Sequence, residues 1–268
     1  TMATGGFGTE ATSILGFSAY TQGVIVVFMF SAGASFALHY RALRAPVEYP
    51  RSYEFRFYVA LWLGAVVIVT VGLIGSGPFE AALREGAFTA TSLITTTGYA
   101  TANFGAWVPG LQITVVGLMF LGGMSGSTAG AMKTFRIVVL AKAAGADLRR
   151  IVHPRGVFLT RFGNSTVPEP ILESVQSFFL FYMFLFMTGT VLLGFFVSGV
   201  GGFDLVTSAS AVASALGNIG PGLGEVGPTS NYLAVPVAGK WLLSFLMIAG
   251  RLEIFPVLLL FTRRLWRR

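Results

Sequence analysis

Apolar residues run along this chain in blocks far longer than an amphipathic surface helix requires. Five stretches can be set against the ~20 residues that an α-helix needs to cross the hydrocarbon of a bilayer. They cover residues 14–40, 57–75, a third beginning at Trp107 that is interrupted, 178–198, and 236–262, which carries Lys240 near its start and Arg251 and Glu253 further in. Two shorter runs, 87–94 and 205–216, cannot span, and each is followed by Gly-containing polar sequence. That combination fits re-entrant helices, because irregular backbone at membrane depth survives only where it is buried in protein or faces water. The pattern predicts an all-α membrane protein of repeated units, each a span, a short re-entrant helix, a Gly-containing turn and a second span.

The units repeat. One copy covers 57–150, a second covers 174–268, and 1–44 holds the end of a third. Both intact short helices open alike, with Pro78-Phe79-Glu80 and Gly202-Phe203-Asp204. A small turn follows each: Thr95-Thr96-Thr97-Gly98-Tyr99 and Asn218-Ile219-Gly220-Pro221-Gly222, with Ala3-Thr4-Gly5-Gly6-Phe7 in the same place in the truncated copy. Internal repetition at membrane depth is characteristic of transporters and pores, whose substrate site lies between the repeats.

Composition agrees with the membrane reading and charge orients it. Hydrophobic residues make up 54% of the 268 and charged ones 11%, under half the ~25% of an average soluble domain. The formal net charge is +7, yet the basic residues lie between apolar runs rather than on one face. Arg41, Arg44, Arg51 and Arg56 join the first two spans, Lys133, Arg136, Lys142, Arg149, Arg150, Arg155 and Arg161 follow the third, and Arg263, Arg264, Arg267 and Arg268 close the chain. All share the cytoplasmic side if spans one, three and five run inward, which leaves Arg84 and Lys240 outside and both short helices dipping in from outside. The opening TMATGGF has no leader pattern and reads as the interior of a longer protein. Cysteine is absent, which excludes disulfides, thiolate metal sites and thiol nucleophiles within this sequence.

The chemistry these turns allow is cation coordination. Glycine reaches backbone conformations that side chains forbid, so successive carbonyls can face one way and replace an ion's hydration shell. The short helices end at the turns, directing their negative C-terminal half-charge at the ion. One such turn would be unremarkable; three in register favour a filter formed by Thr4, Gly5, Gly6 and Phe7, by Thr96, Thr97, Gly98 and Tyr99, and by Asn218, Ile219, Gly220 and Pro221. The interruption of span three, GGMSGSTAGA at 122–131, is expected to be a loop that blocks or opens the path, through Gly122, Gly123, Ser125, Gly126, Ser127, Thr128 and Gly130. Its Gly122-xxx-Gly126-xxx-Gly130 spacing also suits a helix-packing face. Arg251, a charge inside a span, is expected to be a barrier below the filter or a clamp on that loop, the alternative being an ion pair with Glu253.

Together these turns, the GGMSGSTAG break and the AGRLEIFP stretch resemble the Trk/Ktr/HKT superfamily of potassium transporters, closest to its TrkH branch through Arg149-Arg150-Ile151-Val152-His153-Pro154. The resemblance implies four span–pore helix–span repeats around one pore, of which this chain would hold the end of the second and all of the third and fourth. It makes Gly6, Gly98 and Gly220 three of four filter glycines, K⁺ the transported ion, residues 122–131 the gate and Arg251 the residue facing it. It further implies a homodimer in the bacterial inner membrane, no enzymatic activity, no cofactor on this chain, and cytosolic TrkA-like regulatory subunits that carry the nucleotide. Ala131-Met132 departs from the family's usual Gly-Ile, and the first filter segment is absent, so ion preference is not readable here.

Other classes fit less well. Gly123-Met124-Ser125-Gly126 matches an intramembrane serine protease pattern, but His153 lies in a basic loop and His39 at the inner end of span one. Met132 stands where a phosphate-binding loop needs glycine before Lys133. An anion pore would have the wrong sign of helix dipole at its turns.

Overall fold

A computed structural model describes residues 1–8, 12–75, 77–262 and 266. The described residues are mostly helical, with almost no strand. They form α1 (Ala19–Gly33), α2 (Phe36–Ala42), α3 (Glu48–Arg51), α4 (Tyr53–Leu73), α5 (Phe79–Ile94), α6 (Pro109–Met119) and α7 (Thr134–Val152). A two-stranded hairpin, β1 (Arg161–Phe162) and β2 (Ser165–Thr166), then precedes α8 (Glu169–Phe196), α9 (Leu205–Gly217), α10 (Val237–Arg251) and α11 (Phe255–Leu260).

Local chemistry sets the starts. Ser18, Ser52 and Asp204 accept the backbone N–H of Thr21, Phe55 and Thr207, each satisfying one of the unpaired donors at a helix N-terminus. α6, α8 and α11 carry proline in the first turn, where its missing N–H leaves no hydrogen bond unmade.

Only α4 and α8, at 21 and 28 residues, are long and apolar enough to cross a bilayer as single helices. The expected continuous spans at 14–40 and 236–262 are both broken. The first bends by 101° between α1 and α2, where Ala34 and Ser35 are extended and the carbonyl of Gly33 accepts the N–H of Met124. The last stops at Arg251 and restarts at Phe255, with Glu253 and Ile254 in the left-handed region. Pro256 accounts for part of this, since in an unbroken helix its ring would meet the carbonyl of Leu252. The interruption expected in span three is present between α6 and α7. All three inner spans are therefore broken, not one.

The short helices form where expected: α5 begins at Phe79, within the Pro78-Phe79-Glu80 opening, and at 16 residues extends beyond its apolar run 87–94. α5 packs on α4, α6 and α1, and α9 packs on α8, α10 and α6. Each thus lies within its own trio and against the inner helix of the preceding unit, a relation that carries one unit into the next by rotation. Aromatic side chains on α4 tie these helices together: the buried Tyr58 donates to the carbonyl of Phe30 on α1 at 3.0 Å, and the half-buried Trp62 donates through Nε1 to Thr91 Oγ1 on α5 at 2.7 Å.

Candidate functional site

The ends of α5 and α9 bring two of the Gly-containing turns beside the third, at the start of the chain. Their backbones follow one rule: Thr4 and Gly6, Thr96 and Gly98, and Asn218 and Gly220 all have positive φ, with an ordinary residue between each pair. Such alternation lets successive carbonyls turn to the same side. The helical ends are built alike as well. Thr97 N–H donates to the carbonyl of Ser92 and Ile219 N–H to that of Ser214, both at 2.9 Å. Ser92 Oγ donates to the carbonyl of Tyr99 at 2.6 Å, and Ser214 Oγ accepts Gly220 N–H at 2.9 Å.

The turns stand shoulder to shoulder. A Cβ on Gly6 would lie 2.1 Å from the carbonyl oxygen of Thr97, and one on Gly98 would lie 1.8 Å from that of Ile219. A Cβ on Gly220 would meet nothing within 4 Å among the described residues. The three turns therefore form an arc with one open side. Gly5, Gly6, Gly98, Ile219, Gly220 and Pro221 line a cleft of about 360 Å³, and Thr4, Asn218 and Arg251 line another of about 480 Å³. Thr95, Thr96 and Thr97 are wholly buried, so their hydroxyls need partners. Thr95 Oγ1 bonds the Thr91 carbonyl and Thr97 Oγ1. Tyr99 Oη donates to the carbonyl of Phe7 at 2.9 Å, and Tyr232 Oη to that of Gly220 at 2.8 Å. Burial pushes the Tyr232 phenol up to about 12, partly offset by Ser214.

The Gly-rich segment is a loop pinned at its neck. Gly122 N–H donates to the carbonyl of Met132 at 2.8 Å, and Thr134 Oγ1 to that of Gly122 at 3.0 Å. Its residues are not helical, so the small-residue spacing is not a helix-packing face. Every neighbouring break holds it. Met124 N–H meets the Gly33 carbonyl, Phe36 N–H the Gly126 carbonyl, and Ser125 N–H the Glu54 carboxylate at 2.7 Å. Within the loop Ser127 Oγ donates to the carbonyl of Met124, and Lys133 Nζ caps the carbonyls of Ser127 and Ala129. Lys133 is thereby engaged with protein, in no arrangement that would cradle phosphate.

The loop also meets the turns. The carbonyl of Thr128 receives Thr4 Oγ1 at 2.8 Å and Arg251 Nη1 at 2.9 Å, and Gly130 N–H donates to Thr96 Oγ1 at 2.6 Å. Arg251 thus touches the loop through one exposed hydrogen bond, to the carbonyl of Thr128. It makes no pair with Glu253, which instead binds Arg136, whose guanidinium also lies 4.0 Å from the centre of the Phe178 ring. Ser125 has no histidine partner, since His39 is engaged by Tyr49 and the carbonyl of Ser31, and His153 ends α7.

Sequence reasoning passed over Glu54, Ser92, Ser214 and Tyr232. Glu54 offered a signal, being one of only 11 acidic residues and standing at the head of a span. Tyr232, alone in an outer loop, offered none.

The family model for TrkH, described as a cation transport protein, matches residues 1–267. The chain belongs to the TrkH family. It is 36% identical over its whole length to the Trk system potassium uptake protein TrkH of Halomonas elongata, and equally to that of Escherichia coli K12, covering 55% of each. The crystal structure of the potassium transporter TrkH from Vibrio parahaemolyticus superposes with a TM-score of 0.91 at 33% identity, over 99% of this chain and 57% of that one. The TrkH-family chain described here therefore spans about half the length of the curated relatives it matches.

Proposed function

We propose that this chain supplies three of the four walls of a K⁺ pore, together with its intramembrane gate, for a multi-subunit potassium uptake system. The observation that carries the reading is the threefold recurrence of the positive-φ pair, at Thr4 and Gly6, Thr96 and Gly98, and Asn218 and Gly220, around shared clefts. Carbonyls from these turns would replace the hydration shell of K⁺, the C-termini of α5 and α9 would favour its charge, and no proton or covalent chemistry is called for. Residues 122–131 would close the path from the cytoplasmic side, with Arg251 holding them. The potassium uptake proteins named above support the choice of ion.

By the same reading the basic loops face the cytoplasm of a bacterial inner membrane, the turns face outward, and the assembled protein is a homodimer regulated by cytosolic nucleotide-binding subunits. The deciding experiment is ⁸⁶Rb⁺ uptake into proteoliposomes that carry the full-length protein, with K⁺, Na⁺ and Cl⁻ salts as competitors. Block by K⁺ is expected. Absence of uptake with and without the cytosolic subunit would overturn the reading.

A further inference from the structure

A cleft of about 610 Å³ lies away from the turns, between the second half of α7 and the extended segment 157–161. Three cations line it: Lys142 and Arg149 on α7, and Arg161 opposite. No carboxylate is among the lining residues, and nearby Asp147 is paired with Arg150. Lys142 is held in place, its Nζ donating to the Arg161 carbonyl at 2.8 Å and lying 4.4 Å from the centre of the Tyr53 ring.

The cleft has an apolar edge. Ala141, Gly145, Leu148 and Val152 follow at three- and four-residue spacing, so the small stripe inside the cleft continues outward as two large side chains. Leu148 and Val152 are exposed, as is Val157 on the facing segment at 87%. Cations inside and uncovered aliphatic side chains at the rim complement a ligand that is itself an anion joined to a hydrocarbon. The height of the site agrees. Tyr53, against which Lys142 rests, is the first residue of α4, a helix long enough to span the bilayer, so the cleft lies at the level of one layer of headgroups.

We infer that this cleft binds the phosphate headgroup of an anionic phospholipid of the cytoplasmic leaflet, its acyl chains lying along the Leu148, Val152 and Val157 edge. The inference rests on the proposed orientation of α4 in the membrane. It does not rest on the chain's passing K⁺.

The test measures binding of acyl-labelled phosphatidylglycerol to the full-length protein in detergent. Competitors are unlabelled phosphatidylglycerol, phosphatidylcholine and glycerol 3-phosphate. Phosphatidylglycerol is expected to displace the label, phosphatidylcholine to do so weakly and glycerol 3-phosphate not at all. Each basic residue near an anionic surface contributes such that its removal weakens binding about fivefold. Arg149→Gln, at an exposed position whose side chain makes no hydrogen bond among the described residues, keeps the fold and should show that loss. Adding Lys142→Gln should deepen it to roughly 25-fold.

Unchanged retention of the label by Arg149→Gln overturns the proposal. Displacement by glycerol 3-phosphate as effective as by phosphatidylglycerol would make the cleft a small-anion site and also overturn it. So would a variant that keeps its lipid but no longer captures the cytosolic subunit, since the face would then be a protein interface. ⁸⁶Rb⁺ uptake in the same preparations separates the two readings: failed uptake with intact, variant-sensitive lipid binding counts against the pore alone.

Discussion

At the scale of single residues, the turns depend on backbone that few side chains tolerate. Gly98 has φ of +82°, and a Cβ there would collide with the Ile219 carbonyl oxygen. Gly98→Ser should therefore move that carbonyl and lower the K⁺/Na⁺ preference by about tenfold, roughly 1.4 kcal/mol; unchanged flux ratios would remove Gly98 from the pathway. Tyr232→Phe tests a different bond. It frees the Gly220 carbonyl at the cost of about 1 kcal/mol of hydrogen bonding, and should alter selectivity more than expression. The phenol's pKa is raised from the ordinary 10 to about 12, so its contribution to stability is complete below pH 10 and lost as pH rises through 12. Thermal unfolding from pH 7 to 9 should accordingly show the same wild-type minus Tyr232→Phe difference throughout. Ala131 is the residue-scale departure from the family pattern. It adopts φ of +50°, a conformation that costs a non-glycine residue about 1–2 kcal/mol.

Among the elements, the informative feature is that three inner spans break and the loop is stitched to each break. Arg251→Ala removes one of two donors to the Thr128 carbonyl and a charge beside the cleft below the turns. It should raise ⁸⁶Rb⁺ flux, and equal or lower flux in well-folded protein would make Arg251 structural. Glu54 acts from the opposite flank. Glu54→Ala leaves the exposed Ser125 N–H without its carboxylate acceptor, a loss of about 1 kcal/mol. Resting flux should rise, and Glu54→Gln, which keeps an acceptor oxygen, should restore most of the closed behaviour. Of this scale the sequence disclosed part. Both re-entrant helices and the long Gly-rich break stood out, the break because nine small residues and one Met end a run of large apolar ones. The breaks at Ala34–Ser35 and at Glu253–Ile254 did not, since residues 31–36 stay apolar or small. Ile254, a β-branched residue at φ +62°, is among the least expected in a left-handed turn. At Ala34–Ser35 the docked loop supplies a tertiary cause that no local pattern announces, whereas at Glu253–Ile254 Pro256 is a local signal that accounts for part of the break.

The whole molecule is an arc of rotated units, and its asymmetry is measurable. Gly6 and Gly98 each face a neighbouring carbonyl, whereas Gly220 faces space. In the 268-residue chain, Gly98→Ala should lower the unfolding temperature more than Gly220→Ala does. In the full-length protein the two should converge, because the remaining segment would bring a neighbour to Gly220. A persistent gap would mean that no further turn closes the arc. The three recurring Gly-containing turns were readable from motif spacing alone. The shared clefts were not, since which turn adjoins which follows from α5 resting on α1 and α9 on α6.

The contacts between loop and turns carry one more consequence. Thr96 lends its hydroxyl oxygen to the Gly130 N–H, and Thr4 donates its hydroxyl to the Thr128 carbonyl, so the inner rim of the arc is tied to the loop while the loop is in place. A cation seeking the Thr96 oxygen competes with the Gly130 N–H for it. Binding at the innermost position and departure of the loop are then two sides of one equilibrium, and by reciprocity each promotes the other. Permeant ions should thus act as ligands of the open form, with opening that steepens as their concentration rises even when no regulator is present.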